Sequence, residues 1–282
     1  MNDERKTSWG QRLITYSLLV LLAAGMLLPF AWLLRSSLCD DMTVIQPIRS
    51  LADFIPPRLH WENYPQVLQA IPLLTYLWNT VFIAACVIGG TVVSSSICAY
   101  AFAFCKVPYR KTVFYGVLAT VMLPPVVTMI PGFILFRELG WIDTFRPLIV
   151  PAFFGGAFGI FLFRQFFLGI PTSLIEAARI DGATPLQTYW RIVMPMSRPV
   201  IVTVSLFSFV GTWNGFMGPL IYLNSKKNWT LQLGLNSFRG EVADQTNLLM
   251  ACSVIILIPI IVAFFCLQRY FIKGANLSGL KG

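Results

Sequence analysis

Charge and histidine are scarce in this sequence. Lys, Arg, Asp and Glu together make up 12% of its 282 residues, where a soluble domain carries about 25%. His60 is the only histidine, so multi-histidine metal centres and HExxH protease chemistry are excluded; it reads as a loop residue. The cysteines, Cys39, Cys86, Cys98, Cys105, Cys252 and Cys266, form no C-x-x-C pair and no metal-ligand spacing. All but Cys39 fall in or at the ends of apolar runs, where a thiol acts as a small core residue. Cys39 reads as extracytoplasmic with no partner for a disulfide. A GxxxxGK[ST] loop is missing, so ATP has no usual phosphate cradle here. No acid, base, nucleophile or metal set stands out, and no basic run interleaved with aromatics marks nucleic-acid binding. The expectation is a chain that is not an enzyme and holds no cofactor of its own.

What is present is apolar sequence. Hydrophobic residues are 56% of the chain, and they gather into runs at about 13–34, 76–104, 113–136, 147–167, 198–223 and 247–267. A helix needs about 20 apolar residues to cross the hydrocarbon core, so the reading is an all-α polytopic membrane protein with six transmembrane helices, one domain over residues 1–282. The first run follows Arg5, Lys6 and Arg12. It is too long for a signal peptide and lacks a small-residue cleavage site, so it reads as an uncleaved span. Pro29 interrupts it near its outer end. Gly89, Gly90 and Ser94 to Ser96 in the second run allow close helix approach. Pro124, Pro125 and Pro131 lie in the third, where freed carbonyls are tolerated only beside protein or a water-filled cavity. Residues 35–75 are polar and proline-containing, with Asp40-Asp41 as a solvated turn and Trp61 to Tyr64 as a short amphipathic piece.

Charge orients the chain. With the N-terminus inside, thirteen basic and four acidic residues face the cytoplasm and eight of each face outward, a net +9 against zero, as the positive-inside rule requires. The spans hold essentially no ionisable residue at mid-depth; Arg164 sits near the inner end of the fourth and can snorkel. Ion-coupled carriers ordinarily keep buried charges, so energy is expected to arrive by contact with another protein.

Residues 174–195, LIEAARIDGATPLQTYWRIVMP, supply that contact. They are charged and helix-forming, between two apolar runs. Ser173 and Glu176 have capping-box spacing, Gly182 ends the first helix, and Thr184, Pro185 and Gln187 restart a second as cap, first position and box partner. Pro195 limits it. The pattern is helix, glycine turn, helix over residues 171–197. Ile175, Ala178, Tyr189 and Trp190 can form one apolar face. So short a first helix is unstable alone and needs a surface to rest on.

Glu176-Ala177-Ala178, then Gly182 after three intervening residues, then Ile192 and Pro195 after nine more, resemble the EAA signature of ABC importer permeases, with Met194 where the pattern prefers Leu. EAARIDGA, which includes Asp181, resembles the carbohydrate-uptake branch: maltose, multiple-sugar and glycerol-phosphate permeases. The resemblance implies a fold covering nearly the whole chain and a bacterial inner-membrane location with both termini cytoplasmic. It also implies a second permease subunit, a dimer of ATPase subunits that hold ATP and magnesium, an extracytoplasmic binding protein meeting residues 35–75 and 224–246, and a sugar substrate within the lipid-embedded assembly. The EAA helix would dock in a cleft on the ATPase, with Glu176 meeting a basic group, and the docked push would rock spans three to five.

Gly211, Trp213, Asn214 and Phe216 in the fifth span are the candidate translocation path. The WNxF string is similar to that of related sugar permeases; equally, Asn and Gly favour plain helix packing. In the maltose type one permease holds nearly all sugar contacts, and this chain resembles the shorter partner. Two alternatives stand: an importer of another solute, such as a glycerol phosphate or acidic oligosaccharide, or a stand-alone secondary carrier.

Overall fold

The computed structural model describes residues 9–47, 51–56, 58–105, 108–239 and 245–278. The charges at Asp3, Glu4, Arg5, Lys6, Arg49, Lys106, Glu241, Asp244 and Lys281, which enter the orientation count, lie outside the described residues. Within the described residues every regular element is helical: α1 (Trp9–Ser37), α2 (Asp41–Ile45), α3 (Asn63–Ala70), α4 (Leu73–Phe104), α5 (Arg110–Ala119), α6 (Pro125–Glu138), α7 (Arg146–Ile149), α8 (Ala157–Phe167), α9 (Thr172–Ile180), α10 (Pro185–Thr188), α11 (Met194–Met196), α12 (Arg198–Trp213), α13 (Met217–Tyr222), α14 (Leu231–Ser237) and α15 (Thr246–Ser278).

Four stretches are long and apolar enough to cross a membrane: Trp9–Ser37, Leu73–Phe104, Arg146–Phe167 and Thr246–Cys266. Two more pass only as bent pairs: Arg110–Met122 with Pro125–Glu138, bent by 95°, and Pro185–Met196 with Arg198–Trp213, bent by 79°. The expected third span is thus broken. Pro124 and Pro125 lack N–H groups, and a proline drives the residue before it out of the helical region; Leu123 is extended, with ψ 119°. Pro131 stays inside α6 without ending it.

The chain divides into two compact units, one of residues 1–71 and 235–258, the other of 72–234 and 259–282. In the first, α1 is exposed on every side until its last turn, where Arg35, Ser36 and Ser37 are buried, as suits a helix whose apolar surface faces lipid. Here the structure corrects the sequence reading once, at Asp41. Arg35, at the start of the polar segment, is covered: its guanidinium lies 5.0 Å from the Trp32 ring and donates to Asp53 O at 2.9 Å. Asp41 is not a free turn residue: its Oδ1 accepts from the Thr246 N–H at 2.7 Å, capping the first turn of α15, where orphan N–H groups favour a carboxylate. Asn63 ties these pieces together, donating to Ser37 O and Cys39 O and accepting from Asn247 at 3.1 Å.

In the second unit α4 is the spine, against which α8, α12 and the 3-10 turn Val150–Phe154 pack. Small residues set those approaches. A Cβ on Gly90 would lie 2.8 Å from the Phe153 ring, and one on Gly159 2.7 Å from Ser95 Oγ. Ser94 Oγ donates across to Ala152 O at 2.9 Å. At one end of α4 an aromatic core gathers Tyr100, Phe114, Phe163, Phe167 and Tyr189. Lipid is as apolar as these side chains, so close packing rather than water exclusion holds them. Arg164 is half-buried and lies 4.2 Å over the Phe114 ring, a cation–π contact. Near the other end, Asp143 adopts φ 60° and clasps the following connection. Its carboxylate accepts from the Asn224 and Ser225 N–H groups and from the Ser225 and Asn228 side chains, and these bonds hold its pKa down at about 2.

Candidate functional site

The two-helix element forms where the sequence places it, with one change at its start. Helix α9 begins at Thr172 with Pro171 as cap and no side-chain cap bond. Ser173 therefore falls one residue inside the helix, and its expected capping box with Glu176 does not form. At the other end Gly182 takes φ +80°. The Ala183 N–H reaches Ala178 O at 2.9 Å and the Gly182 N–H reaches Arg179 O at 3.1 Å, the paired bonds of a Schellman turn. The second box does form: Gln187 N–H donates to Thr184 Oγ1 at 3.3 Å and Thr184 N–H to Gln187 Oε1 at 2.8 Å.

Sequence reasoning missed what comes next. Tyr189–Val193 is one turn of π-helix, closed by the Met194 N–H on Tyr189 O. Pro195 has no N–H, so the Arg191 carbonyl has no α-helical partner; the wider turn sits beside that gap. The helix runs past Pro195 to Met196, and the chain turns at Ser197.

The element rests on α4 through specific contacts. Ile175 and Ala178 are buried. Tyr189 is 2% exposed, lies edge-on to Tyr100 at 5.4 Å, and its hydroxyl is 2.7 Å from Ser96 Oγ. Ser96 spends its own proton on Val92 O at 2.5 Å, so Tyr189 is the donor. Arg179 reaches Phe104 O at 3.5 Å. Trp190, expected on the same apolar face, is instead 49% exposed, because successive helical residues point in different directions, about 3.6 to a turn. The only advance signal for the Tyr189 contact was its place in an aromatic pair.

The opposite face is uncovered. Glu176, Ala177, Asp181, Gly182 and Pro195 are exposed, and Ile192 is half-buried. Glu176 makes no hydrogen bond or ion pair among the described residues. Ile180 is 86% and Leu186 64% exposed, so a polar element displays bare aliphatic side chains at its turn.

The other candidate residues lie around the break between α12 and α13. Trp213 is buried within the chain, 5.1 Å from Phe209, and its carbonyl accepts from Gln232 Nε2. Asn214 is exposed, with Nδ2 donating to Val210 O at 3.0 Å in its own helix. Phe216 is half-buried, and a Cβ on Gly211 would meet open space. The four are neighbours in sequence but face different surroundings.

Residues 9–276 match the family described as the inner membrane component of binding-protein-dependent transport systems. The chain belongs to that family. It is 32% identical to the arabinooligosaccharides transport system permease protein AraQ of Halalkalibacterium halodurans, over 81% of this chain and 82% of that one. It is 32% identical to the sn-glycerol-3-phosphate transport system permease protein UgpE of Brucella abortus, over 83% and 86%. Among solved structures it resembles a bacterial ABC transporter involved in import of the acidic polysaccharide alginate, with TM-score 0.79 and 25% identity over 94% of this chain and 98% of that one. The MetNI methionine ABC transporter shares the fold, with TM-score 0.54 and 19% identity over 70% and 93%. The chain is therefore a multi-pass inner-membrane permease component of an ABC importer, not a lone helical bundle.

Proposed function

We propose that this chain forms half of the translocation pathway of an ATP-driven sugar or oligosaccharide importer and takes up the energy of ATP through residues 172–196. On this reading the spans number six, each bent pair crossing once, and both termini and the two-helix element are cytoplasmic. ATP and magnesium are held by a pair of ATPase subunits, a second permease completes the pathway, and an extracytoplasmic binding protein delivers solute to the opposite side. The observation that carries the proposal is the two-sided element. One face buries Ile175 and is fastened to α4 by Tyr189 and Arg179, while the other leaves Ile180, Leu186 and the Glu176 carboxylate bare. Exposed aliphatic side chains on a rigid polar projection fit a partner's cleft, and a carboxylate at its rim fits a cation there. Sugar as the solute is supported by the arabinooligosaccharide relative; the glycerol-phosphate and alginate relatives support an anionic alternative.

Affinity capture of the tagged chain from its native membrane tests this. A stoichiometric ATPase and second permease are expected. Glu176→Lys should remain in the membrane and lose the ATPase. A chain captured alone, or undiminished uptake by the Lys variant, overturns the docking role.

A further inference from the structure

Where the start of α5 meets the end of α8, cations gather without a counter-ion. Arg164, in the last turn of α8, lies 4.2 Å over the Phe114 ring. Arg110 stands four residues before Phe114, so it shares that face of α5 one turn away. Lys111, next to it, is exposed. Arg110 is partly spent, its Nη1 donating to Ala103 O and Cys105 O, each at 3.4 Å. Among the described residues no carboxylate bridges to any of the three.

A guanidinium cannot shed its proton, and a charge drawn out of water is ordinarily paired. Arg164 is half-buried. Its Nε is sealed and has no hydrogen-bond partner; its two Nη groups have none either, but they are not sealed. The unspent donors therefore open outward. The Phe114 ring holds the group in place without neutralising it. Nor do the cations serve α5. Arg110 and Lys111 occupy its first turn, where the helix dipole disfavours positive charge, and that turn holds no acid. The flank beyond them is apolar. Tyr115 and Ala119 follow Lys111 at four-residue spacing, on one face of α5, and both are exposed. Helix α5 belongs to a bent pair long and apolar enough to cross a membrane, and tyrosines such as Tyr115 and the exposed Tyr109 at its cap suit the headgroup level.

We propose that Arg164, Arg110 and Lys111 hold the headgroup phosphate of an anionic phospholipid, whose acyl chains lie along Tyr115 and Ala119. Guanidinium groups take phosphate oxygens two at a time, and basic pockets between spanning helices select anionic headgroups. An acidic patch on a soluble partner fits less well, because Arg164 lies against the aromatic core between helices, whereas the bare side chains of the two-helix element are Ile180 and Leu186. The lipid would adjoin that element. Three successive carbonyls at the end of α4 accept from Arg110 on one side and Arg179 on the other, so an anion holding Arg110 steadies the anchorage of both. The proposal depends on the membrane placement of these helices and on neither the solute nor the ATPase.

Native mass spectrometry of the captured assembly tests it, with palmitoyl-oleoyl phosphatidylglycerol or the matching phosphatidylcholine added in equal amounts. Preferential retention of phosphatidylglycerol is expected. One cation near an anionic surface is worth about fivefold in affinity, so Arg164→Gln and Lys111→Gln should each lower its retention about fivefold, and together about twenty-five-fold. Lys111 is exposed, so its variant leaves the packing intact. Arg164→Lys keeps the charge and should retain the lipid about as well as the wild type. No preference between the two lipids, equal loss in Arg164→Lys and Arg164→Gln, or displacement of phosphatidylglycerol by an equal amount of inorganic phosphate overturns the proposal. A wild type without preference whose Arg164→Gln form sheds the ATPase gives these cations to the ATPase instead. A chain captured without an ATPase that keeps the preference removes the docking role and leaves the lipid site standing.

Discussion

Tyr189→Phe removes one oxygen from the contact between the two-helix element and α4, and leaves the ring in place. The lost bond is 2.7 Å long and closed off from solvent at both ends. Ser96 keeps its own donor bond to Val92 O, so deletion strands only part of an acceptor. The cost should be that of one neutral hydrogen bond, about 1–1.5 kcal/mol. At tenfold per 1.4 kcal/mol, the fraction of assemblies with the element loosened from α4 rises about five- to twelve-fold. Tyr189→Ala also empties a packed site and should cost about 3–5 kcal/mol, enough to dislodge the element. The assay is ATP hydrolysed per solute moved in proteoliposomes, with thermal stability of the purified assembly alongside. Tyr189→Phe should assemble, melt only slightly lower and waste ATP with any solute; Tyr189→Ala should fail to assemble. Combining Ser96→Ala with Tyr189→Phe should cost less than the two single changes together, since both remove one bond. A Phe variant as tightly coupled as the wild type would refute the reasoning, because the hydroxyl would then be packing filler.

Gly182→Ala should destabilise the element by about 1–2 kcal/mol, since φ +80° is left-handed and no atom lies within 4 Å of the new methyl; hydrogen exchange of the Ala183 amide reads it. Gly159→Ala drives a methyl against Ser95 Oγ and should cost about 1–3 kcal/mol. By contrast Ser95→Ala should be neutral or stabilising in the same melting assay, because that buried hydroxyl has no partner. The Asp143 clasp is pH-dependent with a definite sign: a carboxylate whose folded pKa is depressed from 3.8 to about 2 contributes stability that is fully present above 3.8 and lost as pH falls through about 2. The amides of Asn224 and Ser225 should therefore stay protected at pH 5 and exchange freely only near pH 2; loss of protection by pH 4 would contradict the bonding pattern.

Much of the fold is legible in one sequence because lipid imposes simple rules. The stretches that cross unbroken follow from apolar length alone, and the Gly182 turn and Thr184 box follow from local chemistry that needs no distant partner. What escaped reading depends on residues far away in the chain. Asp40-Asp41 looks like an ordinary polar turn until Thr246 brings its N–H to Asp41. Arg35 looks like the start of a loop until Trp32 and Asp53 cover it. The prolines at 124 and 125 were visible, but whether two such residues kink a span or turn the chain through 95° is decided by what packs beside them. In the candidate sites, Glu176 and Gly182 carry their roles in their neighbours' identities. Ser96, in an apolar run with other serines, gives no hint that Tyr189 will find it, and Phe114 gives none that Arg164 will lie over its ring.

Helix α4 meets the two-helix element at Ser96 and the start of α14 at Thr80. At 1.5 Å per residue these lie about 24 Å apart along one axis. A helix carries a push along its length only if its own hydrogen bonds are continuous, and α4 runs Leu73–Phe104 without proline. Its packing neighbours are interrupted, α12 beyond Trp213 and α8 before Ala157. Motion should therefore be taken up by the interrupted elements, with α4 moving as a strut. The adjacent glycines in its middle are the one place where that could fail, and they can be tested separately. Gly89 has open space around its missing side chain, whereas Gly90 faces Phe153 at 2.8 Å. Gly89→Ala should stiffen α4 by about 0.5–1 kcal/mol without touching a neighbour. If α4 is a strut, that variant transports at the wild-type rate and melts slightly higher, while Gly90→Ala loses both stability and transport. Slower transport in a more stable Gly89→Ala would mean that α4 bends at the glycine pair during each cycle, and the strut would have to be abandoned for a hinge.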